Sequence, residues 1–235
     1  MAIYCTHGEI SAFLQVDGFT DSPATTPTQA QVEAFIEMAE ERIDKLTDHA
    51  WHANRYKTAT DERARIQCVN ANTLSYRGRI QLRHYPIVAL ASGSGDTLNI
   101  WSGGSYTEYL ANKTAGTLTD PLSGDFWADT ERGLVYLKSW PTLFVSTAPS
   151  AIDAYVKYRY GTATTPDDIK LAAIYLTSSI IASNDDLNLM PAVDDSMDNR
   201  TKSEAWEALG LKMLEPHIGR NMPLARTVAG FGTVR

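Results

Sequence analysis

The chain has 235 residues, of which 43% are hydrophobic and 21% charged. That gives room for one well-cored domain or two small ones and excludes wholesale disorder. Lys+Arg 21 against Asp+Glu 28 leaves a net charge of −7, which excludes a protein whose main task is to grip phosphate backbones through clustered basic residues.

The opening MAIYCTHGEISAF has neither a basic n-region nor an apolar h-region, so no signal peptide is expected. Thr6-x-x-Glu9 has capping-box spacing. Ile10, Phe13 and Leu14 continue it as a short helix that Asp17-Gly18 should end. A second helix is predicted to open at Thr26-Pro27, with Pro in the first turn. Its apolar face is Val32, Phe35, Ile36, Ala39, Ile43 and Leu46, and Glu33, Glu37, Glu40 and Glu41 occupy the opposite face.

From about Ile66 the period changes to two. Strands are expected at Ile80–Leu82 and His84–Leu90, at Thr97–Trp101 and Thr107–Leu110, and at Gly133–Lys138 and Ile152–Tyr160. Gly and Asp clusters supply the turns. The pattern describes a small antiparallel β unit with its apolar weight in Trp101, Trp127, Trp140 and the tyrosines.

Helical period returns at Thr165-Pro166-Asp-Asp168, with Thr165 as the expected N-cap. Ile169, Ala172, Ala173, Leu176 and Ile180 form one stripe, and Leu171, Ile174 and Tyr175 widen it. A helix apolar on so many sides belongs between others. The stretch Leu171–Ala182 is too short and too rich in Ser and Thr to cross a bilayer. A last helix is expected at Thr201-x-x-Glu204, closed by Pro216, with a tail beyond it.

The fold class is therefore α+β. A small bundle of four helices carries an inserted antiparallel β unit and an extended C-terminal tail. The boundaries are 1–64 for the N-terminal helices, 65–161 for the β unit, 162–215 for the C-terminal helices and 216–235 for the tail. Helices on either side of the insertion are too few to bury their stripes separately, so they should share one core.

No active site is legible. His49-x-x-His52 could share a metal, yet it lacks the glutamate of HExxH and a third ligand nearby. It reads instead as a helix-end histidine and a loop residue, and His84 as a packing residue. There is no GxSxG elbow, Walker lysine or Cys–His signature, and Cys5 and Cys68 stand in no CxxC spacing. Ser92-Gly-Ser-Gly95 and Gly103-Gly-Ser105 lie between strands and read as hairpin turns. Asp125 and Asp129 flank Trp127, a combination that also occurs in sugar-binding clefts. No catalytic residue, cofactor or metal site is expected.

Two features invite a functional reading. Asp185, Asp186, Asp194, Asp195 and Asp198 crowd like charge into one loop. It is either a solvated loop, a surface facing DNA without binding it, or the complement of a basic patch on a partner. The tail from His217 has no acidic residue but carries Arg220, Arg226 and Arg235. It is either a frayed end or an arm that orders on a neighbouring subunit.

The order of these features resembles the head–tail connector (neck adaptor) proteins of tailed bacteriophages. The residues that carry the resemblance are the long acidic helix Val32–Leu46, the step Leu82-Arg-His-Tyr85-Pro86-Ile87 and the strand Gly133-Leu-Val-Tyr-Leu137. They continue with the exit Tyr158-Arg-Tyr160-Gly161 and the helix Pro166-Asp-Asp-Ile169-Lys-Leu-Ala172-Ala173. The resemblance implies a virion protein made in the host cytoplasm. It forms a ring, commonly a dodecamer, that docks under the portal protein, meets a downstream neck or tail protein and lets DNA pass through its lumen. On that reading Arg220, Arg226 and Arg235 belong to a portal-docking tail, and the five aspartates face the lumen. The alternative is a glycan-binding β module using Trp101, Trp127 and Trp140.

Overall fold

A computed structural model of the chain describes residues 3–68, 78–102, 105–138, 154–184 and 199–218. In chain order the principal elements are α1 (His7–Leu14), α2 (Gln29–Thr47), β1 (Lys57–Ala64), β2 (Ile66–Cys68), β3 (Gly78–Gln81), β4 (Ile87–Ala89), β5 (Thr97–Ser102) and β6 (Ser105–Glu108). They continue with α3 (Tyr109–Asn112), β7 (Phe126–Asp129), β8 (Leu134–Leu137), β9 (Ala154–Tyr160), α4 (Asp167–Ser183) and α5 (Asn199–Leu214). Of the described residues, those up to Arg55 and from Thr162 to Ile218 form a helical unit, and those between Tyr56 and Gly161 a β unit. The fold class is α+β.

In the helical unit, α1 opens with the expected box: Thr6 accepts from Glu9 N–H, and the Glu9 carboxylate accepts from Thr6 N–H. It ends earlier than expected, because Gln15 adopts the left-handed conformation and closes the last turn. α2 also begins later. Thr28 is its N-cap and pairs with Gln31 in a second capping box, which leaves Pro27 outside the helix. Val32, Ile36, Ala39 and Ile43 are wholly buried, whereas Leu46 is exposed at the rim.

α4 is the central helix and packs against α1, α2 and α5. Its Ile169, Ala172, Ala173, Leu176 and Ile181 join the α2 stripe with Tyr4, Ile10, Trp51 and Leu214 in one core. Each fully buried aliphatic side chain there contributes about 1.5–3 kcal/mol. Thr165 is not the cap of α4; that position is Pro166, which offers no side-chain bond. Against α5 the contact runs through small residues. Ser203 donates to the Ser179 carbonyl at 2.9 Å, and at Gly210 a Cβ would lie 2.9 Å from Leu176 Cγ. Phe13 of α1 meets Tyr175 and Trp206 edge-on at centroid distances of 5.3 and 5.5 Å. α5 begins at Asn199, so Thr201 lies within it and does not cap it.

The β unit is two antiparallel sheets whose inner faces share a core. One has the order β1-β9-β5-β6, with β4 also on β9; the other is β2-β3-β8-β7. Lys57–Ala64, counted with the N-terminal helices on sequence alone, is the first strand and pairs with β9 on both sides of a break in register between Ala59 and Glu62. Its two polar faces hid it, since only Ala64 is buried. Tyr160 pairs with both Lys57 and Ile87, so β4 and β1 take opposite edges of β9. β5 continues the β4 edge along Ala154–Lys157. Ser92–Gly95 is thus a step between two strands on one edge, not a hairpin turn.

Among the described residues the core of this unit holds no tryptophan. Ile80, Leu98, Ile100, Val135, Leu137, Ala154, Val156 and Tyr158 are wholly buried, whereas Trp101 is 43% exposed and Trp127 is half-buried. Trp140 lies outside the described residues.

Candidate interaction surfaces

The aspartates 185, 186, 194, 195 and 198 and the arginines 220, 226 and 235 all lie outside the described residues. His217, assigned to the tail on sequence, belongs to the helical unit. It sits in a 3₁₀ turn after α5 and is 8% exposed. Its Nε2 donates to Asp168 at 2.5 Å, and its ring meets Trp51 edge-on at 4.8 Å. Burial alone would raise the Asp168 carboxyl, but the His217 bond and Ile169 N–H hold it below its ordinary value. The next residue still donates from its N–H to Leu214 O, so any arm begins beyond Ile218.

His49 and His52 do not converge. His49 is buried, shares a hydrogen bond with Thr162 Oγ1 at 2.9 Å and meets Trp51 edge-on. His52 accepts from Asn54 N–H through Nδ1. Among the described residues no three of His, Cys, Asp and Glu are grouped as a metal site would need. None of the helices among the described residues is long and apolar enough to cross a membrane.

The acidic pair beside Trp127 holds loops together. Asp125 accepts from Thr114 N–H at 3.0 Å, and Asp129 accepts from Arg132 N–H at 3.2 Å. Trp101 and Trp127 stand on different sheets, and Trp127 stacks on Tyr136 at 5.4 Å. The two do not form one aromatic platform for a sugar.

A buried charged cluster went unread in the sequence. Glu40, expected on the solvent face of α2, is wholly buried. Its Oε1 accepts from Ile3 N–H and Tyr4 N–H at 2.5 and 2.6 Å. Arg55 donates to its Oε2 at 3.0 Å and to Asp44 at 2.9 Å. The Tyr4 hydroxyl donates to Asp44 and accepts from Trp51 N–H at 2.9 Å. Burial and the Asp44 carboxylate push the Tyr4 hydroxyl far up, so it stays protonated as the donor. Burial alone would lower the Arg55 guanidinium, but Asp44 and Glu40 raise it and keep it charged. The signal was present. Ile36, Glu40, Ile43 and Thr47 have the i, i+4, i+7, i+11 spacing of a single stripe. Nearby, burial and the charges of Glu40 and Glu9 push the Cys5 thiol up to about 12, far from any nucleophilic role at neutral pH.

In the β unit, three of the motifs that carry the connector resemblance meet in one knot. Pro86 O accepts from Gly161 N–H at 3.0 Å. At Gly133 (φ 63) a Cβ would approach Tyr85 Cβ at 3.0 Å, so that turn needs glycine twice over. His84 stacks on Tyr160 at 4.3 Å and donates from its N–H to the Tyr158 hydroxyl at 3.0 Å. That hydroxyl in turn donates to Glu62 at 2.5 Å. The step at 82–87, the strand at 133–137 and the exit at 158–161 are thus one packing arrangement. The other two motifs, the Val32–Leu46 helix and the Pro166–Ala173 helix, lie in the helical unit, where Val32, Ile36, Ile169, Ala172 and Ala173 are wholly buried.

No protein-family pattern and no curated protein matches the sequence. Among solved structures, a chain from the neck of an empty GTA particle, computed with C6 symmetry, is similar at 13% identity. The alignment covers 85% of this chain and 86% of that one, with a TM-score of 0.36. A score that low does not establish a shared fold.

The surface that remains is the outer face of the five-stranded sheet. Arg63 on β1, Tyr155 and Lys157 on β9 and Trp101 on β5 alternate with the buried positions. Tyr106 on β6 stands opposite Trp101. The rings form a herringbone, Trp101 to Tyr106 at 5.0 Å and Tyr106 to Tyr155 at 4.9 Å, and the Arg63 guanidinium lies 5.9 Å from the Tyr155 centroid. The sequence carried the signal as Tyr155-x-Lys157-x-Arg159, out of phase with the buried Ala154-x-Val156-x-Tyr158.

Proposed function

We propose that this chain is a structural virion protein of the phage neck, a connector that forms a ring under the portal and joins capsid to tail around a passage for DNA. The observation that carries the reading is the knot of Tyr85-Pro86, Gly133 and Tyr158-x-Tyr160-Gly161. The residues of the connector resemblance are turn and packing residues, and three motifs separated by dozens of positions join in one contact. That is what a motif set serving architecture, not chemistry, should do. The helices before and after the β unit share one core, as a bundle interrupted by an insertion requires.

On this reading the partners are the portal protein, a downstream neck or tail protein and further copies of the chain. The basic residues 220, 226 and 235 act in an arm that docks on the portal, where weak contacts repeat over many copies. The reaction of the ring with DNA is passage, which the net charge of −7 favours by repelling the phosphates. The chain is structural, not an enzyme.

The test is purification of a tagged copy from its native source, with mass spectrometry of the co-purifying proteins and averaging of stained particles. Portal and tail proteins around a rotationally symmetric ring are expected. Truncation after Ile218 should remove portal docking and leave the far-UV circular dichroism unchanged. A lone monomer with no virion partner would overturn the proposal.

A further inference from the structure

We infer that the basic-aromatic outer face of the five-stranded sheet is a docking site for an acidic, apolar peptide segment, and that its occupant is residues 185–198 of a second copy of this chain. The assignment to a second copy rests on the ring reading; the binding preference of the face does not.

The face combines charge and rings. Arg63 and Lys157 supply the charge and Trp101, Tyr106 and Tyr155 the apolar surface, with Trp101 43% and Tyr106 40% exposed. The carboxylates of neighbouring acids are turned to other work. Glu62 accepts from Arg83 N–H and the Tyr158 hydroxyl, and Glu108 accepts from Leu98, Leu110 and Ala111 N–H groups. Asp96 is buried, accepts from Ala91 N–H and pairs with Arg159 Nε at 3.9 Å, so Arg159 is already matched within the sheet. A net-acidic chain therefore concentrates cationic and aromatic groups on one outward face, which favours a partner that is anionic and apolar together.

Residues 185–198, Asp-Asp-Leu-Asn-Leu-Met-Pro-Ala-Val-Asp-Asp-Ser-Met-Asp, match that description. The segment has five aspartates and no Lys, Arg or His, and its Leu, Met and Val side chains suit contact with aromatic rings. Its length also points outward. It joins α4 to α5, and these helices already touch close to both of its ends, with Ser179 Oγ 3.1 Å from Ser203 Oγ. Such neighbours need a connection of only about 2–8 residues. Fourteen residues reach roughly 46 Å when extended, at about 3.3 Å each. A segment on one part of the chain that fits a different patch on the same chain makes a heterologous contact, the kind from which closed rings are built.

The experiment has two parts. A labelled peptide of residues 184–199 is titrated into full-length protein whose own five aspartates are changed to Asn, and anisotropy is followed. Saturable binding is expected. It should weaken by roughly tenfold or more with the double change Arg63→Glu and Lys157→Glu, with Trp101→Ala, or with added salt. No saturable binding, or equal binding of an oligo-aspartate peptide, overturns the docking site. Binding of a DNA oligonucleotide to the same face in preference to the peptide also overturns it.

The second part asks which copy supplies the segment. The double Glu variant and a variant with the five aspartates changed to Lys should each lose self-association in sedimentation, and an equimolar mixture of the two should regain it. A mixture that stays dissociated, or a wild-type chain that stays monomeric at every concentration, overturns the second copy as occupant. If the aspartates instead line a DNA passage, their neutralisation leaves assembly intact, which also counts against the inference. A portal complex recovered from the native source without peptide binding would leave the neck reading standing and remove this one.

Discussion

Arg55 Nη1 donates to Glu40 Oε2 at 3.0 Å, and the Glu40 side chain is wholly buried. The same carboxylate holds the backbone N–H groups of Ile3 and Tyr4 through its other oxygen. The pair therefore ties three stretches of the helical unit together: the residues before α1, the middle of α2 and the turn after it.

Glu40→Ala would leave the Arg55 guanidinium without one of its two carboxylates and two backbone donors without an acceptor. Breaking a buried pair from one side costs about 3–5 kcal/mol. The expected result is a loss of that size in urea unfolding, with most of it recovered by no single substitution at Arg55. Glu40→Gln keeps an acceptor for the N–H groups and should cost less. Equal stability of Glu40→Ala and wild type would show that the cluster contributes nothing.

Gly210→Ala tests the seam between α4 and α5. Alanine gains about 1 kcal/mol of helix propensity over glycine. Here its Cβ would lie 2.9 Å from Leu176 Cγ and 3.3 Å from Tyr175 Cβ, and overpacking of that kind costs about 1–3 kcal/mol. The second effect should win, so Tm falls. Gly8 in α1 is the contrast, because a Cβ there meets nothing nearer than Thr6 Oγ1 at 4.0 Å. Gly8→Ala should raise Tm slightly. The opposite order of the two variants would refute the packing account.

Acid should loosen the attachments of α4. Asp168 is held below its ordinary value against the effect of burial by His217. Glu9 is likewise held down against burial by Lys170 and the Thr6 backbone. A carboxyl depressed on folding adds stability above its unfolded value and loses it as pH falls through the folded one. Tm should therefore drop steeply below about pH 4, the ordinary carboxylate range. Asp168→Asn should start with a lower Tm at neutral pH and lose less on acidification. Parallel pH curves for the two proteins would exclude the contribution.

Periodicity alone placed α2, α4 and the strands around Ile80, Ile100, Val135 and Val156, because in each the buried residues recur at the period of the element. The capping box of Thr6 and Glu9 was also legible, since both partners lie within one helical turn. Where two local signals competed, the sequence could not choose. Thr26-Pro27 and Thr28-x-x-Gln31 are both helix starts, and only the second is used. β1 was invisible because its partners on β9 lie about a hundred residues away and its own side chains are mostly polar.

What the sequence determined by itself is the alternation of helical and strand segments, the acidic balance and the motifs that resemble a connector. Those are properties of neighbouring residues, and local sterics and burial set them. Only the tertiary structure decided that Glu40 is inside, that His217 belongs to the bundle and that Trp101, Tyr106, Tyr155 and Arg63 share an outward face. Each depends on pairing between distant segments. A carboxylate can be buried only where donors from elsewhere in the chain converge on it, and which strands lie side by side is settled by register, not by any one strand's composition.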